Sequence, residues 1–144
     1  MNVMETHTPG ETRAAGKAFA RRLKPGDIVL LEGPLGSGKT TFVQGMAEEL
    51  GGTVFATSPS FTLLHEYLLA GQGVLRHLDL YRLTDPAVDL DRIGLSELLE
   101  DPRAITVIEW ADRLPKGMLS SAVRVARVRI THGKEPAERV IETG

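Results

Sequence analysis

The stretch DIVLLEGPLGSGKT, residues 27–40, sets a strand pattern directly against a glycine-rich loop. Ile28 to Leu31 is apolar without alternation, as in a strand covered on both faces. Gly33, Gly38, Lys39 and Thr40 then satisfy G-x-x-x-x-G-K-[ST] in full. A helix is predicted from about Lys39, with Phe42, Val43, Met46, Ala47 and Leu50 as its buried stripe and Gly51-Gly52 as its stop. Strand, glycine-rich loop and amphipathic helix in that order is the context this motif needs to hold phosphate. Glycines let backbone N–H groups converge on phosphate oxygens, and the helix start adds free N–H groups and a positive dipole end. Lys39 is placed to reach the terminal phosphates and the Thr40 hydroxyl to ligate Mg²⁺. The competing interpretation is a plain glycine turn with a surface lysine.

The chain has 144 residues, suited to a single domain over residues 1–144. With 42% hydrophobic and 25% charged residues and a net charge of −2, the balance points to neither a nucleic-acid backbone nor an anionic membrane. No cysteine is present, which excludes disulfides, thiolate metal sites and thiol nucleophiles. The N-terminal residues lack the apolar centre of a signal peptide, and no apolar run approaches the ~20 residues that span a bilayer. A cytoplasmic protein without membrane contact is expected.

Thr8, Pro9 and Glu11 form a helix start of the capping-box kind, followed by a stripe of Ala15, Ala18, Phe19, Arg22 and Leu23. Pro25-Gly26 ends that helix. Thr53 to Ala56 is predicted as a strand, and Phe61–Leu68 and Val74–Leu80 flank AGQG as a hairpin. Short helices are expected from Asp85-Pro86 and around Leu95, Leu98 and Leu99. AITVIE, Ala104 to Glu109, is a second fully apolar strand. Val123 and Val125 fall on odd positions but Val128 and Ile130 on even ones, so a bulge or turn is expected near Ala126. A last strand covers Glu138 to Glu142. These elements predict an α/β chain, a three-layer P-loop NTPase-like fold with a central, mainly parallel sheet plus antiparallel hairpin strands.

A cradle alone binds; transfer or hydrolysis needs a carboxylate to steady Mg²⁺ and another group to orient the attacking atom. Glu109 ends an apolar strand, where a Walker-B acid would sit, or is a solvated acid there. In RHLDLYR, alternation puts His77, Asp79 and Tyr81 on one face, which is either a solvated edge or the place of a second acid. His77 is expected as a hydrogen-bonding support. The hydroxyl-rich loop TSPSFT, Thr57 to Thr62, is a γ-phosphate sensor or a simple polar turn. Trp110, the only tryptophan, is core or a partner contact. Arg124, Arg127 and Arg129 make a tRNA contact or a solvated strand face.

LEGPLGSGKTTFVQGMAEELG, SPSFTLLHEY, HLDLYRL, IGLSELLE and VIEWADRLP occur in that order. Together, from TPGET to near Arg139, they resemble the TsaE (YjeE) family of small bacterial P-loop ATPases. The resemblance implies ATP and Mg²⁺ as cofactors and the TsaD–TsaB pair as partner, in making N6-threonylcarbamoyladenosine at position 37 of tRNAs that read ANN codons. It implies a weak ATPase that acts within that complex and meets tRNA indirectly, through it. By motif, Gly36, Ser37, Gly38, Lys39, Thr40 and Thr41 would hold the phosphates. Thr40 and Glu109 would serve Mg²⁺, and Asp79 would act with Lys39 and Glu109 in hydrolysis. Thr12 matches a position near the nucleotide, Arg139 a late basic residue at the site (with Lys134 its competitor), and Trp110 a place where partner and ATP meet. The chain departs from the family at Pro34, usually an acid, and at SPSF, usually SPTF.

Rival functions fare less well. GTP recognition needs an Asn-Lys-x-Asp loop, and the only asparagine is Asn2; Asp91 to Gly94 fits D-x-x-G but follows no apolar strand. A small-molecule kinase needs an acceptor pocket and an arginine-bearing lid, for which Arg82 or Arg103 would have to serve. A nucleotide-gated binding module with little turnover needs the same cradle as an ATPase.

Overall fold

The computed structural model describes residues 2–54, 64–81, 94–115, 117–119 and 124–144. The strands are β1 (Asn2–Thr6), β2 (Ile28–Glu32), β3 (Thr53–Val54), β4 (Leu64–Leu68), β5 (Val74–Asp79), β6 (Ala104–Glu109), β7 (Val125–His132) and β8 (Arg139–Thr143). The helices are α1 (Pro9–Ala20), α2 (Lys39–Glu49) and α3 (Leu95–Glu100). The TSPSFT loop, the helix expected from Asp85, Arg82, the Asp91–Ile93 part of D-x-x-G and Val123 lie outside the described residues.

The strands form one sheet in the order β1-β8-β7-β2-β6-β5-β4-β3. Its centre is parallel: β2 pairs with both β6 and β7, and β5 pairs with β6. The expected hairpin is present as antiparallel β4 and β5, which β3 extends. A second antiparallel flank, β7-β8-β1, completes the other side. The expected α/β architecture therefore holds, with more antiparallel pairing at the edges than the sequence suggested.

Two apolar layers flank the sheet. On one face Val29, Leu31, Leu75, Val107, Val128 and Ile130 meet Phe19, Phe42 and Met46 of α1 and α2. On the other, Ile28, Leu30, Leu78, Leu80 and Ile108 meet Leu95 and Leu99 of α3. Coverage of both faces is why β2 and β6 carry unbroken apolar runs.

Helix α1 starts as its sequence dictates. The Glu11 amide donates to Thr8 Oγ1 at 3.1 Å, and the His7 amide donates to Glu11 Oε1 at 3.1 Å. Its buried stripe is Thr12, Ala15, Gly16, Phe19 and Ala20, so the predicted stripe is slightly rotated and Ala18 is exposed. The bulge expected near Ala126 is absent: β7 pairs in unbroken register with β2 from Val125 to Arg129. The strand buries Val128 and Ile130 and leaves Val125 39% exposed, so no change of face is needed.

Candidate functional site

The loop leaves β2 at the carboxyl end of the parallel strands. A Cβ on Gly33 would stand 2.3 Å from the Ile130 carbonyl oxygen and 2.7 Å from Ser37 Oγ, so only glycine fits against β7. Gly36 and Gly38 hold left-handed backbone at φ 74° and 99°, which costs a residue with a side chain. Gly38 caps α2 without a side-chain bond, and the first helical bond runs from the Phe42 amide to the Gly38 carbonyl at 2.9 Å. The amides of Lys39, Thr40 and Thr41 thus precede the helical ladder and offer N–H groups with the helix dipole behind them. Pro34 removes one amide from the loop but supplies an acceptor, taking the Ser37 amide at 3.1 Å. Ser37 is fully buried and its hydroxyl has no hydrogen-bond partner, so its side chain is turned away from the open face.

Arg139, on β8, braces this loop from behind. Its Nε donates to the Ser37 carbonyl at 2.7 Å and Nη2 to the Gly36 carbonyl at 3.1 Å. Its Nη1 donates to the carbonyls of Pro136 and Glu138, both at 2.7 Å. Because a trans peptide points C=O and N–H in opposite directions, fixing the Ser37 carbonyl on Arg139 aims the Gly38 amide the other way. Lys134, its sequence competitor, is exposed beyond the end of β7. Thr12 is buried, shares a 2.7 Å hydroxyl–hydroxyl hydrogen bond with Thr6, and lines a cavity of about 60 Å³ with Gly38, Thr41 and Arg139. Three of the predicted cofactor residues meet there with the helix cap.

The acids stand on the neighbouring strands. Asp79 and Glu109 are register partners at the ends of β5 and β6, and Glu109 is also the partner of Leu31, two residues before the loop. Glu109 is 4% exposed, so it is not the solvated strand-end acid. Lys39 Nζ lies 3.2 Å from Glu109 Oε1, donates to the Gly33 carbonyl at 2.6 Å and sits 4.8 Å from the centre of the Trp110 ring. His77 Nε2 bonds the second Glu109 oxygen, Oε2. Burial pushes the Glu109 carboxyl up, but the His77 and Lys39 contacts outweigh it and hold it below the ordinary carboxylate range. Asp79 Oδ1 accepts the Tyr81 amide at 3.0 Å, closing the chain's turn out of β5.

Trp110 is the one non-glycine residue with positive φ (61°) among the described residues. Its ring packs 4.9 Å from that of Tyr81, and its Nε1 is buried without a partner. Strained backbone of this kind persists only where neighbours enforce it, and it concentrates at functional sites. A larger cavity of about 710 Å³ opens beside Gly33, Lys39 and Trp110 and runs to Leu114 and Met118. Its mainly apolar wall gives a phosphate little to bind. Arg124 and Arg129 are exposed and pair with Asp27 at 3.5 Å and Glu32 at 3.2 Å, as expected of a solvated strand face. Arg103 pairs with Asp101, away from the loop.

The donor set suits Mg²⁺. Thr40 offers a hydroxyl on the exposed first turn of α2, and Asp79 and Glu109 offer carboxylates. No group of three or more His, Cys, Asp or Glu side chains forms a cage among the described residues. His77 and Arg139 are marked in the sequence, but their partners Glu109 and the Gly36 and Ser37 carbonyls lie on elements distant along the chain, so the contacts themselves are not.

Strand, glycine loop, helix cap and strand-end acid in this arrangement define a nucleotide-binding P-loop protein. More narrowly, the chain belongs to the TsaE family, whose model, described as "Threonylcarbamoyl adenosine biosynthesis protein TsaE", matches residues 6–141. The TsaE protein of Bacillus subtilis is 42% identical over 127 residues, covering 84% of this chain and 76% of that one. That of Synechocystis is 42% identical over 118 residues, covering 80% and 74%. Both are named tRNA threonylcarbamoyladenosine biosynthesis proteins. The crystal structure of Bacillus subtilis YdiB superposes with a TM-score of 0.69 at 34% identity, covering 97% of this chain and 82% of that one. The family's role is in tRNA threonylcarbamoyladenosine biosynthesis. No helix among the described residues is long and apolar enough to cross a membrane.

Proposed function

We propose that the chain binds ATP with Mg²⁺ at the Gly33–Thr41 loop and hydrolyses it, in support of adenosine-37 threonylcarbamoylation by the TsaD–TsaB pair in the cytoplasm. The observation that carries this reading is the 3.2 Å Lys39–Glu109 pair at the root of the loop, with Asp79 in register beside Glu109. Lys39 is held by the acid that an incoming Mg–triphosphate would claim, so each group would have an exchange partner in the ligand.

Gly36 to Thr41 would receive the phosphates, Thr12 and Arg139 would border the nucleotide, and Thr40 and Glu109 would hold the metal. Magnesium at that position would neutralise charge on the β- and γ-phosphate oxygens. Lys39 would leave Glu109 and the Gly33 carbonyl for those oxygens. Asp79 keeps one oxygen on the Tyr81 amide, and its other oxygen would accept a hydrogen bond from the attacking water. The new water-oxygen–phosphorus bond forms as the bridging bond to ADP breaks, and the proton leaves with phosphate. Trp110, strained and packed at a tilt against Tyr81, would meet the partner.

Radiolabelled ATP, with and without TsaD–TsaB, tests the reading. Free phosphate as the only labelled product is expected, with binding lost in Lys39→Ala and turnover but not binding lost in Asp79→Ala. A labelled acceptor would identify a kinase instead, and unchanged hydrolysis in Asp79→Ala would remove that acid from the chemistry. Failure to associate with TsaD–TsaB in any nucleotide state would reject the partner.

A further inference from the structure

We propose that His77 is a positioning residue for Glu109, holding the carboxylate in place when Lys39 leaves it for the nucleotide. This rests on the proposed ATP and Mg²⁺ site. Both Glu109 oxygens are engaged: Oε1 faces Lys39 Nζ at 3.2 Å, and Oε2 takes the bond from His77 Nε2. A loop lysine that moves to phosphate strips one of these partners away. A carboxylate that is 4% exposed would then be a buried charge with an empty hydrogen-bonding position, which is costly unless another donor holds it.

His77 meets that need. Its side chain is 8% exposed and sits in the middle of β5, a strand paired on both sides. The same strand presents Asp79 two residues later on the same face, so one rigid element carries the hydrolytic acid and the support for the metal acid. A carboxylate oxygen can only accept, so the contact holds a Glu109 carboxylate when His77 Nε2 is the donor. Glu109 therefore exchanges one partner when nucleotide binds and keeps the other, which fixes which oxygen is offered to the metal.

The test is metal affinity measured apart from turnover. Wild type, His77→Phe, His77→Gln and His77→Asn are loaded with ADP, and Mn²⁺ binding is read by electron paramagnetic resonance. ADP affinity in EDTA is measured by calorimetry on the same samples. Partners that orient a metal ligand typically contribute about 10–100-fold in metal affinity. His77→Phe is expected to lose metal affinity in that range while ADP affinity in EDTA stays within about twofold. Glutamine places a donor near the position of Nε2 and should recover most of the loss, whereas the shorter asparagine should not. Should the phenylalanine variant fail to fold, the glutamine–asparagine difference carries the test. Unchanged Mn²⁺ affinity in both Phe and Asn variants, or an equal loss of ADP affinity in EDTA, overturns the assignment. Wild type that binds no adenine nucleotide overturns the ATP reading itself, an outcome distinct from any result among the His77 variants.

Discussion

Replacing Gly45 with alanine sets two physical effects against each other. In the middle of a helix, Gly→Ala ordinarily stabilises by about 1 kcal/mol because alanine has the higher helix propensity. Here α1 and α2 cross through glycines: a Cβ on Gly45 would stand 2.0 Å from the Arg13 carbonyl oxygen, and one on Gly16 would stand 2.1 Å from that of Phe42. Relieving the Gly45 contact requires the helices to part by about 1 Å, and backbone cannot yield as a flexible side chain would. A gap of ~1 Å forfeits up to half of each dispersion contact across it, and Phe19, Phe42 and Met46 are fully packed there. The overpacking cost of about 1–3 kcal/mol lies at the upper end for so short an approach and exceeds the propensity gain. We expect Gly45→Ala to lower the thermal midpoint by roughly 3–8 °C, at a few degrees per kcal/mol for a chain of this size. Gly10→Ala is the control, because its nearest neighbour is 3.7 Å away; its midpoint should hold or rise. Since Thr12 on α1 lies against Gly38 of the loop, ATP affinity should fall with Gly45→Ala as well. Circular dichroism melts and calorimetry read both effects. A midpoint that rises in Gly45→Ala would refute the packing argument and leave helix propensity as the governing term.

Arg139→Met removes the brace on the Gly36 and Ser37 carbonyls and should weaken ATP binding about tenfold or more, near 1.4 kcal/mol. Arg139→Lys should not rescue it, because an ammonium cannot fork across several carbonyls; calorimetric affinities equal to wild type would dismiss the brace. Asp101 supplies a pH prediction: the Arg103 amide and guanidinium, aided by Arg76, hold its carboxyl at about 2. Its folded pKa lies below the unfolded value near ~3.9, so its contribution is complete above about pH 4 and fades as pH falls toward 2. Melting midpoints should drop across that window in wild type and drop less steeply in Asp101→Asn; parallel curves would contradict the assignment.

The elements that were legible from sequence are those whose environment is local. β2 and β6 read correctly because burial on both faces leaves an unbroken apolar run, and α1 read correctly because its cap lies within four residues. β1 was missed because NVMET is exposed at four of its five positions and becomes a strand only by pairing with β8. The false bulge at Ala126 came from assuming that both valine sets must be buried, when one face of β7 stays open at Val125. Gly16 and Gly45 carry no hydrophobic signal, so no apolar stripe marks the two positions that set the helix crossing.

For the site, residue type supplied the candidates and strand order supplied their geometry. Glu109 stands out as the acid ending an apolar run and Asp79 as an acid on the polar face of RHLDLYR, but neither pattern says which strand lies beside the loop. With β6 between β2 and β5, the carboxyl ends of all three strands converge, and ligands of open α/β sheets bind in that crevice. Glu109 then has Leu31 on one side and Asp79 on the other, within reach of Lys39 on the helix that follows the loop. Arg139 reaches the loop from the opposite side because β7 is the other neighbour of β2 and β8 pairs with β7. An alternative order that placed β5 next to β2 would exchange the two acids, putting Asp79 against Lys39 and carrying His77 away from Glu109. Which acid lies against Lys39 and beside His77 is therefore a consequence of topology as much as of side-chain chemistry.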